Sequence, residues 1–260
     1  MSLEQLHQNL SIPRHKTAKA YNDLHNTTLI SQIKEDEKNY HILTIVDEDY
    51  PTVLKPIKDP PLVLYGMGNL SLLTKNPTIS VIGTRKPSHE AIPKIKHIVQ
   101  PLVMENWVIV SGMARGIDSF AHQLALKHKG MTIAVLGGGF HHIYPKENKP
   151  LFRNIANDGL VLSEYPPNTP PQRFYFPERN RIISGLSFGT LVIEATAKSG
   201  TLITVDQALD QGREVYAVPG TPIIPQTKGC HQMIQDGAKL IHHAEDLKED
   251  WDNLREYWSF

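Results

Sequence analysis

From residue 78 onward, short runs of branched apolar residues alternate with stretches whose apolar positions recur every three or four residues. The runs at 79–82, 108–110, 132–136, 160–162, 191–195 and 215–218 carry almost no charge, which predicts strands buried on both faces. The stretches at 92–104 and around 151–155 predict helices. So does 117–125, where Ile117, Phe120, Ala121, Leu124 and Ala125 share one face. Alternation at this spacing implies right-handed crossovers and a sheet covered by helices on both sides. The predicted fold is α/β: an extended Rossmann-like, doubly wound and mostly parallel sheet. Upstream, 41–46 and 62–65 predict two more strands extending that sheet, with turns at 47–51 and 66–69 and with Pro56, Pro60 and Pro61 between them. In residues 1–39, Leu3, Leu6, Leu10 and Ile12, then Ala20, Leu24, Leu29, Ile30 and Ile33, are spaced as in short amphipathic helices. The division expected is a small helical module at 1–39, a main domain at 40–243 and an acidic tail at 244–260.

Composition narrows the reading. The 260 residues are 40% hydrophobic and 21% charged, as in an ordinary globular protein. The 27 basic and 27 acidic residues cancel, so any surface for a polyanion must be a local patch. One cysteine, Cys230, rules out an internal disulfide framework. No signal-peptide pattern opens the chain, and no apolar run approaches the ~20 residues needed to span a bilayer. A soluble, cytoplasmic protein without a membrane partner is expected.

Chemistry concentrates in residues 173–204. Arg173, Arg179 and Arg181 are interleaved with Phe174, Tyr175 and Phe176, and the apolar run at 191–195 leads into Lys198, Ser199, Gly200 and Thr201. Thr201 can cap a helix carrying Leu202, Val205, Ala208 and Leu209 on one face, closed by Gly212. A lysine, two hydroxyls and a glycine at a helix N-terminus suit an anion. Together with arginines and aromatics, they suit a phosphate polymer with exposed bases. The alternative is a surface loop whose arginines pair with Glu178 and Glu194.

Other strand-end loops share the preference. Gly83-Thr84-Arg85, Ser111-Gly112 and Arg115-Gly116 combine a glycine with a hydroxyl or a guanidinium, and a parallel sheet puts all of them on one edge. Each alone is equally a tight βα turn. Asp118 reads as a cap or an orienting partner for Arg115. No G-x-G-x-x-G follows the first strand of the repeat, and Gly137-Gly138-Gly139 runs into Phe140-His141-His142. A dinucleotide is therefore not expected, nor any other cofactor. The adjacent pairs His141-His142 and His242-His243 are poorly spaced for one metal ion. No activated nucleophile, H-E-x-x-H or telling carboxylate pair is present, so no catalytic residue is assigned.

The succession GTR (83–85), IVSGMARGIDSFAH (109–122), TIAVLGGG (132–139), IYP (143–145), GLVLSEYP (159–166), FPERNRIISGLS (176–187), LVIEA (191–195), SGTLIT (199–204) and AVPG (217–220) resembles the DNA-processing protein A family, DprA/Smf. Residues 40–70 resemble the segment that precedes that family's main domain. The resemblance implies an extended Rossmann fold and a dimer. It also implies a non-enzymatic protein that binds single-stranded DNA, protects incoming strands in natural transformation and loads RecA recombinase. It places phosphate contacts at Arg85, Arg173 and Lys198, a base contact at Phe176, and the core of the motif at Arg179, Asn180 and Arg181. Departures are visible: His89-Glu90-Ala91 stands where Tyr-Gly is usual, and Gly229-Cys230-His231 where Gly-Ser/Thr-Asn is common. A second reading is a nucleotide phosphoribohydrolase of the lysine-decarboxylase-like type, since Gly189-Thr190 with Glu194 faintly resembles that family's P-G-G-x-G-T-x-x-E.

Overall fold

The computed structural model describes Ala18 and residues 21–258. The chain divides into two compact units, residues 1–41 and 42–260. In the first, helix α1 (Thr27–Asn39) begins at Asn26, whose side-chain oxygen accepts from the backbone N–H of Thr28 and of Leu29, both at 3.1 Å. Leu29, Ile30 and Ile33 are exposed on this helix. Leu3, Leu6, Leu10, Ile12 and Ala20 lie outside the described residues.

The described residues form one nine-stranded sheet. Its strands in chain order are β1 (His41–Thr44), β2 (Val63–Gly68), β3 (Thr78–Ile82), β4 (Val108–Ser111), β5 (Thr132–Leu136), β6 (Leu160–Ser163), β7 (Gly189–Val192), β8 (Glu214–Ala217) and β9 (Lys239–Leu240). In space they run β1-β2-β6-β5-β4-β3-β7-β8-β9. All pairs from β6 through to β9 are parallel, and β2 joins β6 antiparallel. The chain therefore builds outward from β3 in one direction, then returns to the other side of β3 with β7. That makes β3/β7 the switch point of the sheet, where a crevice opens beyond the carboxyl ends of the strands.

Both faces are covered. Val108 and Val110 belong to one apolar cluster with Ile133, Val135, Ile182 and Val205, while Ile109 between them belongs to the other with Ile79, Ile95, Ile117 and Leu191. The helices supplying these layers are α2 (Ala91–Met104), α3 (Ile117–Lys127), α4 (Lys149–Asp158), α5 (Tyr175–Gly185), α6 (Thr201–Asp210), α7 (Lys228–Gln235) and α8 (Ala244–Trp258).

Four expectations are revised. The residues at 66–68 continue β2, and Gly68 takes φ +111, where a Cβ would run into the Gly159 carbonyl. β7 starts two residues before the predicted run, although Leu191 through Ala195 are all buried. Residues 179–181, placed in a surface loop by the alternative reading, are the middle of α5, where Ile182 and Ile183 after them are both buried in the core. The acidic stretch at 244–258 is α8, not a tail. Its Leu247, Trp251, Leu254 and Trp258 form one stripe packed into the second cluster, and its carboxylates occupy the other face. Arg213 lies over the Trp258 ring at 4.2 Å.

Candidate nucleic-acid interface

At the switch point a cleft of about 510 Å³ opens between the loops that follow β3 and β7. A smaller one of about 160 Å³ adjoins it, and Arg85, Lys86, Phe176 and Arg179 line both. The two form a single groove across the strand ends.

Each wall has a local cause. After β3, Gly83 is wedged against Ile117, where a Cβ would come within 2.6 Å of Cγ1. Thr84 is buried and its hydroxyl accepts from Lys86 N at 3.2 Å. That turn leaves Arg85 and Lys86 exposed at the rim. After β4, Gly116 takes φ +77, and a Cβ there would strike the Thr84 carbonyl, so the two loops can meet only through a glycine. Arg115 is exposed and pairs with Glu147. After β7, Lys198 is exposed and Ser199 Oγ accepts from Thr201 N at 3.1 Å. Ser199, not Thr201, thus satisfies a first-turn donor of α6. Ser199, Gly200 and Thr201 all line the larger cleft, at the positive end of that helix.

The floor comes from α5. Phe176 lies over Gly137, where a Cβ would come within 2.9 Å of its ring, and packs against Tyr144 at 5.4 Å between centroids. Tyr144 is half exposed, and the pair gives the groove an apolar wall. Asn180 lines the larger cleft beside it.

The two arginines of this helix turn inward, against the expectation that they face phosphate. Arg179 is 4% exposed; Nη1 donates to the Gly112 carbonyl at 2.7 Å and to the Val135 carbonyl, fastening the ends of β4 and β5. Burial pushes its guanidinium down to about 10, with the nearby Asp118 charge opposing. Asp118 is itself raised by burial, partly offset by Arg179 and by the N–H groups of Gly112 and Ala114 that its carboxylate accepts. Asp118 therefore serves the loop backbone and Arg179, not Arg115. Arg181 grips Glu164 in a two-pronged pair of 2.7 and 2.9 Å and donates to the Asp59 carbonyl at 2.7 Å. Ser111 is buried as well, donating to the Val81 carbonyl at 2.7 Å. The fold thus uses most of the donors of these side chains.

The model of the family described as DNA recombination-mediator protein A matches residues 41–252. The chain belongs to this family. Within the DNA recombination-mediator protein A family it is similar to the DNA processing protein DprA of Bacillus subtilis, 47% identical over 82% of this chain and 72% of that protein. The crystal structure of DprA from Streptococcus pneumoniae superposes with a TM-score of 0.83 at 41% identity, covering 91% of this chain and 82% of the other. DNA processing protein A from Helicobacter pylori, described for its single-stranded DNA binding mode, superposes with a TM-score of 0.74 at 28% identity, covering 82% and 96%.

In this member of the recombination-mediator A family, the groove brings together Gly83, Thr84, Arg85, Phe176, Asn180, Lys198, Ser199, Gly200 and Thr201, with Gly112 and Arg115 beside the smaller cleft. Ser111, Gly116 and Arg181 support it from behind, and Arg173 is exposed on the approach to α5. Lys86 and Tyr144 are lining residues not assigned to the site from sequence. Lys86 adjoins Arg85, so the basic pair was visible. Tyr144 stood in the IYP motif without a role, since only the fold brings it against Phe176. Among the described residues no helix is long and apolar enough to cross a membrane.

Proposed function

We propose that this chain binds single-stranded DNA along the groove and acts as a recombination mediator in DNA processing. The observation that carries the reading is the pairing of exposed cations, Arg85, Lys86 and Lys198, with an aromatic wall of partly buried Phe176 and half-exposed Tyr144 at the switch point. Cations take the phosphates, and aromatic faces take unstacked bases of any identity. A duplex keeps its bases stacked inside and offers that wall nothing. Arg115 and Arg173 extend the track at either side. The Helicobacter pylori relative described for single-stranded DNA binding supports the same reading. From the family resemblance, the chain forms a two-fold dimer, protects incoming strands and hands them to RecA recombinase. The phosphoribohydrolase reading loses its carboxylate: Glu194 is fully buried and accepts from Ser88 N at 2.8 Å, with Lys94 at 3.4 Å. A binding protein without a catalytic reaction is the better account.

The test is titration of a labelled oligonucleotide, single-stranded against duplex, at two salt concentrations. Preference for the single strand, weakening as salt rises, is expected. Equal affinity for duplex, or release of a nucleobase from a nucleoside monophosphate, would overturn the reading.

A further inference from the structure

Adjacent histidines seldom serve one ion, because successive side chains diverge. At the start of α8 the backbone turns so that they converge. His242 Nδ1 and His243 Nδ1 are 3.0 Å apart, and Asp246 Oδ2 lies 3.4 Å from the first and 3.9 Å from the second. The circle through these three atoms has a radius of about 2.0 Å, which is the length of a zinc–nitrogen or zinc–oxygen bond. A single point therefore sits at bonding distance from all three. The carboxylate is fixed in place, since Oδ2 accepts from the backbone N–H of His242 at 2.9 Å and of His243 at 3.0 Å. Such outer contacts orient metal ligands. His97, exposed on α2, has its ring 5.9 Å from that of His243 and is within reach as a fourth donor.

We propose that His242, His243 and Asp246 form a binding site for a divalent transition-metal ion of the zinc class. Two imidazoles and one carboxylate make a borderline donor set that favours Zn²⁺ or Ni²⁺ and disfavours Mg²⁺, which demands oxygen and water. The helix end repels a cation through its dipole, and the carboxylate offsets this. The same three atoms also serve a bare hydrogen-bonded cap, with one ring donating to the other. Only the cap hypothesis leaves the protein indifferent to zinc. Both rings are more than half exposed, so neither is needed for folding.

Untagged protein, purified with chelator, is titrated with Zn²⁺ by calorimetry. One ion per chain is expected, with affinity falling at least about tenfold in His242→Ala and in His243→Ala. Asp246→Asn, which keeps an acceptor for the cap, should also weaken it. Replacing His141 and His142 by alanine should change nothing, and Mg²⁺ should not compete. Zn²⁺ should raise the Tm of the wild type but not of the double variant His242→Ala/His243→Ala, whose Tm in chelator matches the wild type. No binding by the wild type, or undiminished binding by the double variant, would overturn the proposal.

Discussion

Two residues of similar chemistry separate folding from binding. Arg179→Ala removes the cation beside buried Asp118 and leaves two strand-end carbonyls without a donor. Losing a buried donor costs about 1–3 kcal/mol per group left unpaired, so a lower midpoint in urea denaturation is expected. Lys198→Ala should leave that midpoint unchanged and reduce the slope of log affinity against log salt by about 0.7, one phosphate contact on a single strand. Phe176→Ala should do the opposite, losing ~1–3 kcal/mol of binding with the slope intact, since stacking releases no counterions. His122 adds a pH signature. Burial, reinforced by the Arg179 charge, pushes its folded pKa down to about 3 from an ordinary value near 6.5. A depressed folded value gives stability that is full above the unfolded pKa and lost as pH falls. Between about pH 6.5 and 3 the unfolded state takes the proton first, at about 1.4 kcal/mol per pH unit. Asp118, raised when folded, acts with the opposite sign at the acid end. Denaturation midpoints measured across this range should therefore fall less steeply for His122→Gln than for the wild type.

At the level of elements, what sequence disclosed depended on how local the cause was. Runs such as 132–136 announced β5 because a doubly covered strand admits only apolar residues, and each neighbour carries the same message. α3 was equally plain, with its face defined between Ile117 and Ala125. α5 was not, since Arg179, Asn180 and Arg181 read as a polar surface when their partners at Gly112, Val135 and Glu164 are distant in sequence. For the same reason the groove's cations were legible individually, whereas which arginines face outward was not. α8 was hidden by its charge: six carboxylates drew attention from a stripe of four apolar residues. That stripe yields a test. Leu247, fully buried, should cost about 2–5 kcal/mol on replacement by alanine, lowering Tm while the folded protein binds DNA normally. A loss of affinity at a temperature where the variant remains folded would mean that α8 belongs to the interface.

Taken whole, the molecule has no net charge to steer a polyanion, so attraction must come from the groove's rim. With Arg85, Lys86, Arg115, Arg173 and Lys198 all engaged, the salt slope for one chain should be no steeper than about −3.5. A slope measured at roughly twice that would mean that two chains share one strand. The placement of β3 also has a consequence for how the protein comes into being. On a ribosome the N-terminal part of a chain is available first. β3 and β4 can pair early, but the other edge of β3 stays open until Gly189–Val192 has been made. Through that interval an apolar strand offers unpaired backbone groups to any neighbour, which is the usual invitation to aggregate. The groove is completed by the same late event, because one of its walls, Thr196 to Thr204, does not yet exist. A nascent or truncated product ending before β7 would hold Arg85, Lys86 and the aromatic wall but lack Lys198 and the start of α6, so only the finished chain offers a phosphate track along both walls.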